Sequence, residues 1–155
     1  MSKLVIGIDP GKTEAIALLK DGSYLDVRDY VDGPTNAGLL CRWLILHAPD
    51  LAVIEKVHSS PQMGVVSAFS FGANTGHWEG ILDTLQIPWQ SVRPQTWQKG
   101  IVPKKKSATD KPGLLVARRL WPDAPLTLKK HDGRADALLI ARWGYLQMIG
   151  GEKNE

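Results

Sequence analysis

The seven residues Leu-Ala-Val-Ile-Glu-Lys-Val at 51–57 are nearly all apolar, as in a strand covered on both faces, yet Glu55 stands inside them. A carboxylate in such a segment is costly unless something compensates its charge. Lys56 cannot do so, because adjacent strand residues point to opposite faces. This segment therefore belongs in the interior of a sheet covered on both faces, where one buried acid needs a partner.

The remaining patterning agrees. Leu4, Ile6 and Ile8 alternate with Val5, Gly7 and Asp9 until Pro10-Gly11 ends the strand. Residues 14–20 form a second strand, and Asp21-Gly22 is a favoured two-residue hairpin turn into a third at 23–31. After turn-forming residues at 32–36, Leu39, Leu40, Trp43, Leu44 and Ala48 recur at helical spacing. Residues 66–86 predict a longer helix, in which Gly72, Gly76 and Gly80 leave one face flat and suited to close packing on another helix or the sheet. A short strand at 87–92, a helical turn at 94–98, a lysine-rich loop at 100–109, a helix from Asp110-Lys111-Pro112 to Leu120 and a last helix at 132–149 complete the order. The expectation is a single domain over 1–155, with a short disordered tail at about 150–155.

Asp9 and Glu55 thus end strand-like segments, while Asp132 and Asp136 open an apolar helix. Four-residue spacing puts the last two on one helix face, with Cβ atoms about 5–6 Å apart. Like charges that close repel by about 4 kcal/mol at 4 Å even at an effective dielectric near 20. Individually, Asp132 also suits a helix N-cap and Asp9 a turn. Together the four acids favour a site for hard divalent cations, whose usual ligands are carboxylate oxygens.

Charge is unevenly spread. Residues 1–90 carry 6 Lys/Arg against 10 Asp/Glu, whereas residues 91–142 carry 12 against 4. That basic excess suits a polyanion. Lys104, Lys105, Lys106, Lys111, Arg118 and Arg134 are the candidate phosphate contacts, with Lys111 placed where a helix start already attracts anions; a solvated loop is the other reading of the lysine triplet. Phe69 and Phe71 are candidates to stack on opened bases, with core packing the commoner fate. His47, His58, His77 and His131 lack partners at zinc spacing. One cysteine, Cys41, excludes an internal disulfide. No charged-then-apolar leader and no apolar run near the roughly 20 residues of a membrane span is present, so a soluble, cytoplasmic protein is expected.

Three segments carry a family resemblance: Ile6-Gly7-Ile8-Asp9-Pro10-Gly11, Val53-Ile54-Glu55-Lys56-Val57 and Gly133-Arg134-Ala135-Asp136-Ala137-Leu138, with Gln95-Thr96-Trp97 after Pro94 and Asp110-Lys111 between them. In this order they resemble the RuvC-like Holliday junction resolvases of phages and bacteria, over roughly residues 4–145. The resemblance implies an RNase H-like α/β fold with a five-stranded mixed sheet flanked by helices. It implies a homodimeric endodeoxyribonuclease that cuts two opposed strands of a four-way DNA junction in a bacterial or phage-infected cell. Mg²⁺ or Mn²⁺, two ions per site, would be held by Asp9, Glu55, Asp132 and Asp136. Asp132 is assigned with His131 in reserve, because the family usually places that partner three residues before the final Asp, where this chain has Gly133. Glu14 is a further departure, and adds a candidate fifth acid. A junction- or RNA-binding module without catalysis is the alternative. The first motif also resembles phosphate loops of actin-like ATPases, but 155 residues leave no room for their two lobes, so no nucleotide cofactor and no membrane partner are expected.

Overall fold

The computed structural model describes residues 1–11, 14–30, 34–56, 60–104 and 110–152. Strands β1 (Leu4–Asp9), β2 (Ala15–Lys20) and β3 (Ser23–Asp29) form an antiparallel meander, followed by helix α1 (Pro34–His47), strand β4 (Leu51–Glu55), helix α2 (Val65–Thr84) and strand β5 (Trp89–Val92). Helices α3 (Pro94–Gln98), α4 (Pro112–Leu120) and α5 (Asp132–Glu152) complete the chain, with a 3-10 turn at Lys129–His131. One five-stranded sheet results, in the order β3-β2-β1-β4-β5. β4 runs parallel to its neighbours β1 and β5, as a strand reached through a helical crossover must.

The turn at Asp21-Gly22 has both residues at positive φ, 52° and 79°, the backbone that joins two twisted strands in the fewest residues. The other helix and strand types also match the sequence expectation, with differences in extent and in packing. α1 begins at Pro34, inside the segment expected to be a turn, because proline's fixed φ suits the first helical position. α5 continues through Glu152, so residues 150–152 of the expected tail are helical. The glycine face of α2 is not closely packed: a Cβ at Gly72, Gly76 or Gly80 would meet no atom of the described residues within 4 Å.

Strand alternation divides the core in two. Ile6, Ile8, Ile16, Leu18, Ala52 and Ile54 face α1 and α2, where Leu44, Trp78 and Leu82 are fully buried. The alternate residues Ala15, Ala17, Leu19 and Val53 face α5 and α4. Gly7 shares that second face, and a Cβ there would lie 2.0 Å from the Ala137 carbonyl oxygen and 2.4 Å from the Ala141 nitrogen. At Gly144 it would lie 2.5 Å from Val53 Cγ2. These two glycines let α5 lie directly against β1 and β4. The second face of the sheet is therefore where Asp9, two residues beyond Gly7, and Glu55, two beyond Val53, present their side chains.

Candidate metal centre

β1 and β4 pair in parallel with Ile8 beside Ile54, so Asp9 and Glu55 finish adjacent strands at the same edge. α5 starts above that edge. Asp132 is its first residue and Asp136 lies one turn on, next to the Ala137 that touches Gly7. The strand ends and the helix start thus bring together acids that are 46, 77 and 4 positions apart in the chain.

Electrostatics records the convergence. Asp9 is 7% exposed, and its pKa is pushed up to about 7, first by burial and then by the charge of Glu55, with Asp132 adding to the rise. A hydrogen bond of 2.9 Å from the Gly11 N–H to Asp9 Oδ1 opposes it. Asp136 rises further, to about 8, through burial and then the charges of Asp9, Glu55 and Asp132. Burial also raises Glu55, while the Trp97 indole N–H, donating to Glu55 Oε2 at 2.6 Å, pulls it back. Asp9 and Asp136, whose charges are disfavoured by burial and by the acids around them, mark a site calling for cations.

The charge on hand is Lys111, whose ammonium pairs with the Asp132 carboxylate. That hydrogen bond raises the lysine pKa above its usual value, with help from Asp136 and Asp9. Asp132 has helical φ and ψ of −60° and −38° and so is no N-cap; the extended residue before the turn is Leu128. His131 is buried, and its Nδ1 accepts the Leu128 N–H at 3.2 Å, closing the 3-10 turn. Burial lowers the His131 pKa, as does neighbouring Arg134. Glu14 is tied elsewhere, accepting a 2.6 Å hydrogen bond from Asn74 of α2.

The donor set fits Mg²⁺ or Mn²⁺: hard oxygen ligands, several negative charges, and two oxygens per acid. As the side chains stand, no group of three or more His, Cys, Asp or Glu among the described residues is drawn close enough to hold an ion. Gly113 at the start of α4 gives Asp136 its room, since a Cβ there would sit 3.1 Å from Asp136 Oδ1.

A groove of about 1020 Å³ opens beside the acids, with Trp97, Lys99, Lys104, Lys111, Gly113 and Asp136 in its wall. Lys104 and Lys111 are exposed there as the sequence suggests, whereas Lys105 and Lys106 lie outside the described residues. Two other expected phosphate contacts, Arg118 and Arg134, also make bonds within the fold. Arg118 binds the Leu126 carbonyl at 2.6 Å and Asp110 at 2.9 Å. Arg134 grips both oxygens of Asp29 at 2.7 Å and the Pro125 carbonyl at 3.0 Å. These bonds fix both guanidinium planes within the fold while leaving part of each one's five N–H donors uncommitted. Phe69 departs from the core packing expected of it: it is 78% exposed near the start of α2, with Val65 and Val66 exposed beside it.

No family model matches this sequence, and no curated protein matches it significantly. Solved structures do. Thermus thermophilus RuvC in complex with a Holliday junction substrate superposes with a TM-score of 0.72 at 17% identity, covering 96% of each chain. The fowlpox virus resolvase with Holliday junction DNA gives 0.60 at 13%, over 94% of this chain and 99% of that one. The yeast mitochondrial Holliday junction resolvase gives 0.55 at 13%, over 98% and 85%. The chain has the RNase H-like fold of the RuvC-type resolvases, a five-stranded mixed sheet flanked by helices. Among the described residues no helix is long and apolar enough to cross a membrane.

Proposed function

We propose that this protein is a structure-selective endodeoxyribonuclease that resolves four-way DNA junctions, with Asp9, Glu55, Asp132 and Asp136 holding divalent ions, Mg²⁺ or Mn²⁺, two to a site. The observation that carries the reading is the gathering of four acids at one sheet edge, where Asp9 and Asp136 are pushed to about 7 and about 8 partly by the acids around them. Bound divalent ions supply Lewis acidity for phosphodiester hydrolysis, leaving 3′-hydroxyl and 5′-phosphate ends.

The chain's own residues supply the rest. Lys111, exposed beside the acids and paired with Asp132, would be placed to meet a phosphate oxygen, and the N-terminus of α4 beside it favours the same anion. Lys104, with Lys105 and Lys106 next to it in sequence, adds positive charge along the groove where the backbone would lie. Phe69 offers an exposed ring to a base unstacked at the junction centre. Two cuts on opposed strands need two such centres, which a homodimer provides, and the open glycine face of α2 is a flat surface suited to a second copy.

The test is cleavage of a synthetic four-way junction with Mg²⁺ or Mn²⁺, in which wild type cuts while Asp9→Asn, Glu55→Gln and Asp136→Asn bind without cutting. Activity surviving in any of the three would sink the assignment. Because no three acids among the described residues are drawn around one point, a junction- or RNA-binding module without catalysis is the second reading. Tight binding with no nicking at any divalent metal concentration would select it.

A further inference from the structure

We propose that Trp97 is a positioning residue for Glu55: its indole N–H fixes the carboxylate, so that capture of a divalent ion depends on a side chain lodged in the core. The inference rests on the reading of Glu55 as a metal ligand. Trp97 is 1% exposed, packed in the cluster that contains Val53, Val92, Leu114 and Leu139. Its place is set by the chain just before it. β5 pairs Val92 with Glu55, and α3 begins two residues later, its first turn closed by hydrogen bonds from the Thr96 and Trp97 N–H groups to the Arg93 carbonyl. That turn folds Trp97 back beside the end of β4, where Nε1 meets Glu55 Oε2 at 2.6 Å.

Glutamate is a poor ligand to leave unrestrained, because its long side chain must surrender its rotamer freedom when it binds. The indole takes one oxygen and is itself immobilised on all sides, so Glu55 surrenders that freedom on folding; Oε1 receives no hydrogen bond from the described residues and is left for an ion. A buried indole N–H does need an acceptor for its own sake. If that were its whole purpose, loss of the N–H would leave ion binding untouched.

Mn²⁺ is the probe. Free Mn²⁺ is followed by electron paramagnetic resonance on the full-length, DNA-free protein, and junction cleavage is followed over the same titration. Two variants are compared with wild type: Trp97→Phe, and replacement of Trp97 by benzothienylalanine, which keeps the ring size but puts sulfur where the N–H was and serves where phenylalanine fails to fold. The expected result is a Mn²⁺ midpoint raised about tenfold, the usual worth of a hydrogen bond to a charged group, with cleavage at saturating Mn²⁺ close to wild type. An unchanged midpoint in the benzothienyl variant overturns the inference. Glu55→Gln separates the premise from the proposal: if it shifts the midpoint and the Trp97 variants do not, only the positioning role fails. If Glu55→Gln shifts nothing, Glu55 is no ligand and both fail.

Discussion

Gly7 of β1 lies under the carbonyl oxygen of Ala137 in α5 so closely that a Cβ on Gly7 would fall 2.0 Å from it. The obstruction is helix backbone, which cannot rotate away as a side chain can, and it lies beside Asp136. Gly7→Ala should therefore lift α5 from the sheet, costing about 3 kcal/mol or more, toward the upper end of overpacking effects. Thermal unfolding measures the loss. The same displacement moves Asp136 away from Asp9, so cleavage should fall even at temperatures where the variant is folded.

The acids make a prediction about pH. Asp9 and Asp136 have folded pKa values of about 7 and about 8, well above the 3.8 ordinary for an aspartate. Between those limits the folded chain binds more protons than the unfolded one, so the metal-free protein should lose stability as pH rises from about 4 to about 8. Asp136→Asn removes a charge that the fold disfavours. It should raise the metal-free melting temperature at pH 8 by roughly 4–8 °C, equivalent to on the order of 2 kcal/mol, and flatten the pH dependence. A melting temperature in wild type that climbs over this pH range would contradict it. Mg²⁺ or Mn²⁺ should restore the stability of wild type at pH 8 and leave Asp136→Asn little changed.

How much of this is legible in the sequence follows from what each signal depends on. Glu55 declares itself because an acid in an apolar strand is a local contradiction, and Asp9 because Pro-Gly marks where its strand stops. The hairpin at Asp21-Gly22 is equally local. Gly7 reads as one more small residue in an alternating strand, since its meaning lies in a helix that starts 125 positions later. Arg134 has the same limitation: its neighbours in sequence suggest a free cation, and only the closing of α5 over β3 brings Asp29 to it. The Trp97 bond to Glu55 crosses 42 positions. A Trp just after a strand, in a segment the family resemblance singles out, was its one visible trace.

Lys111 and Arg134 should separate by experiment. Arg134→Ala loses a two-pronged bond to Asp29 and a carbonyl bond, so it should destabilise the fold by about 1 kcal/mol while junction affinity stays near wild type. Lys111→Met leaves stability almost unchanged, because the pair it breaks is largely exposed on the lysine side, but should slow cleavage at least tenfold. Unfolding curves and junction titrations on the two variants decide the matter, and weakened DNA binding in Arg134→Ala would return that residue to the DNA face.

Phe69 gives the last test, and its exposure makes the test clean. A ring 78% exposed contributes little to the core, so Phe69→Ala should change stability by no more than about 0.5 kcal/mol. A ring that stacks on an opened base contributes about 1–3 kcal/mol to the complex, so the same substitution should weaken the distorted junction by tenfold or so. With 2-aminopurine at the junction centre, wild-type protein should raise the fluorescence as the base leaves its neighbours, and Phe69→Ala should raise it less. Phe69→Trp, which keeps a stacking surface, should restore the response. Equal fluorescence in wild type and Phe69→Ala would assign the exposed ring to some other surface, and the glycine face of the same helix, with Val65 and Val66 exposed toward its start, would then be the place to look.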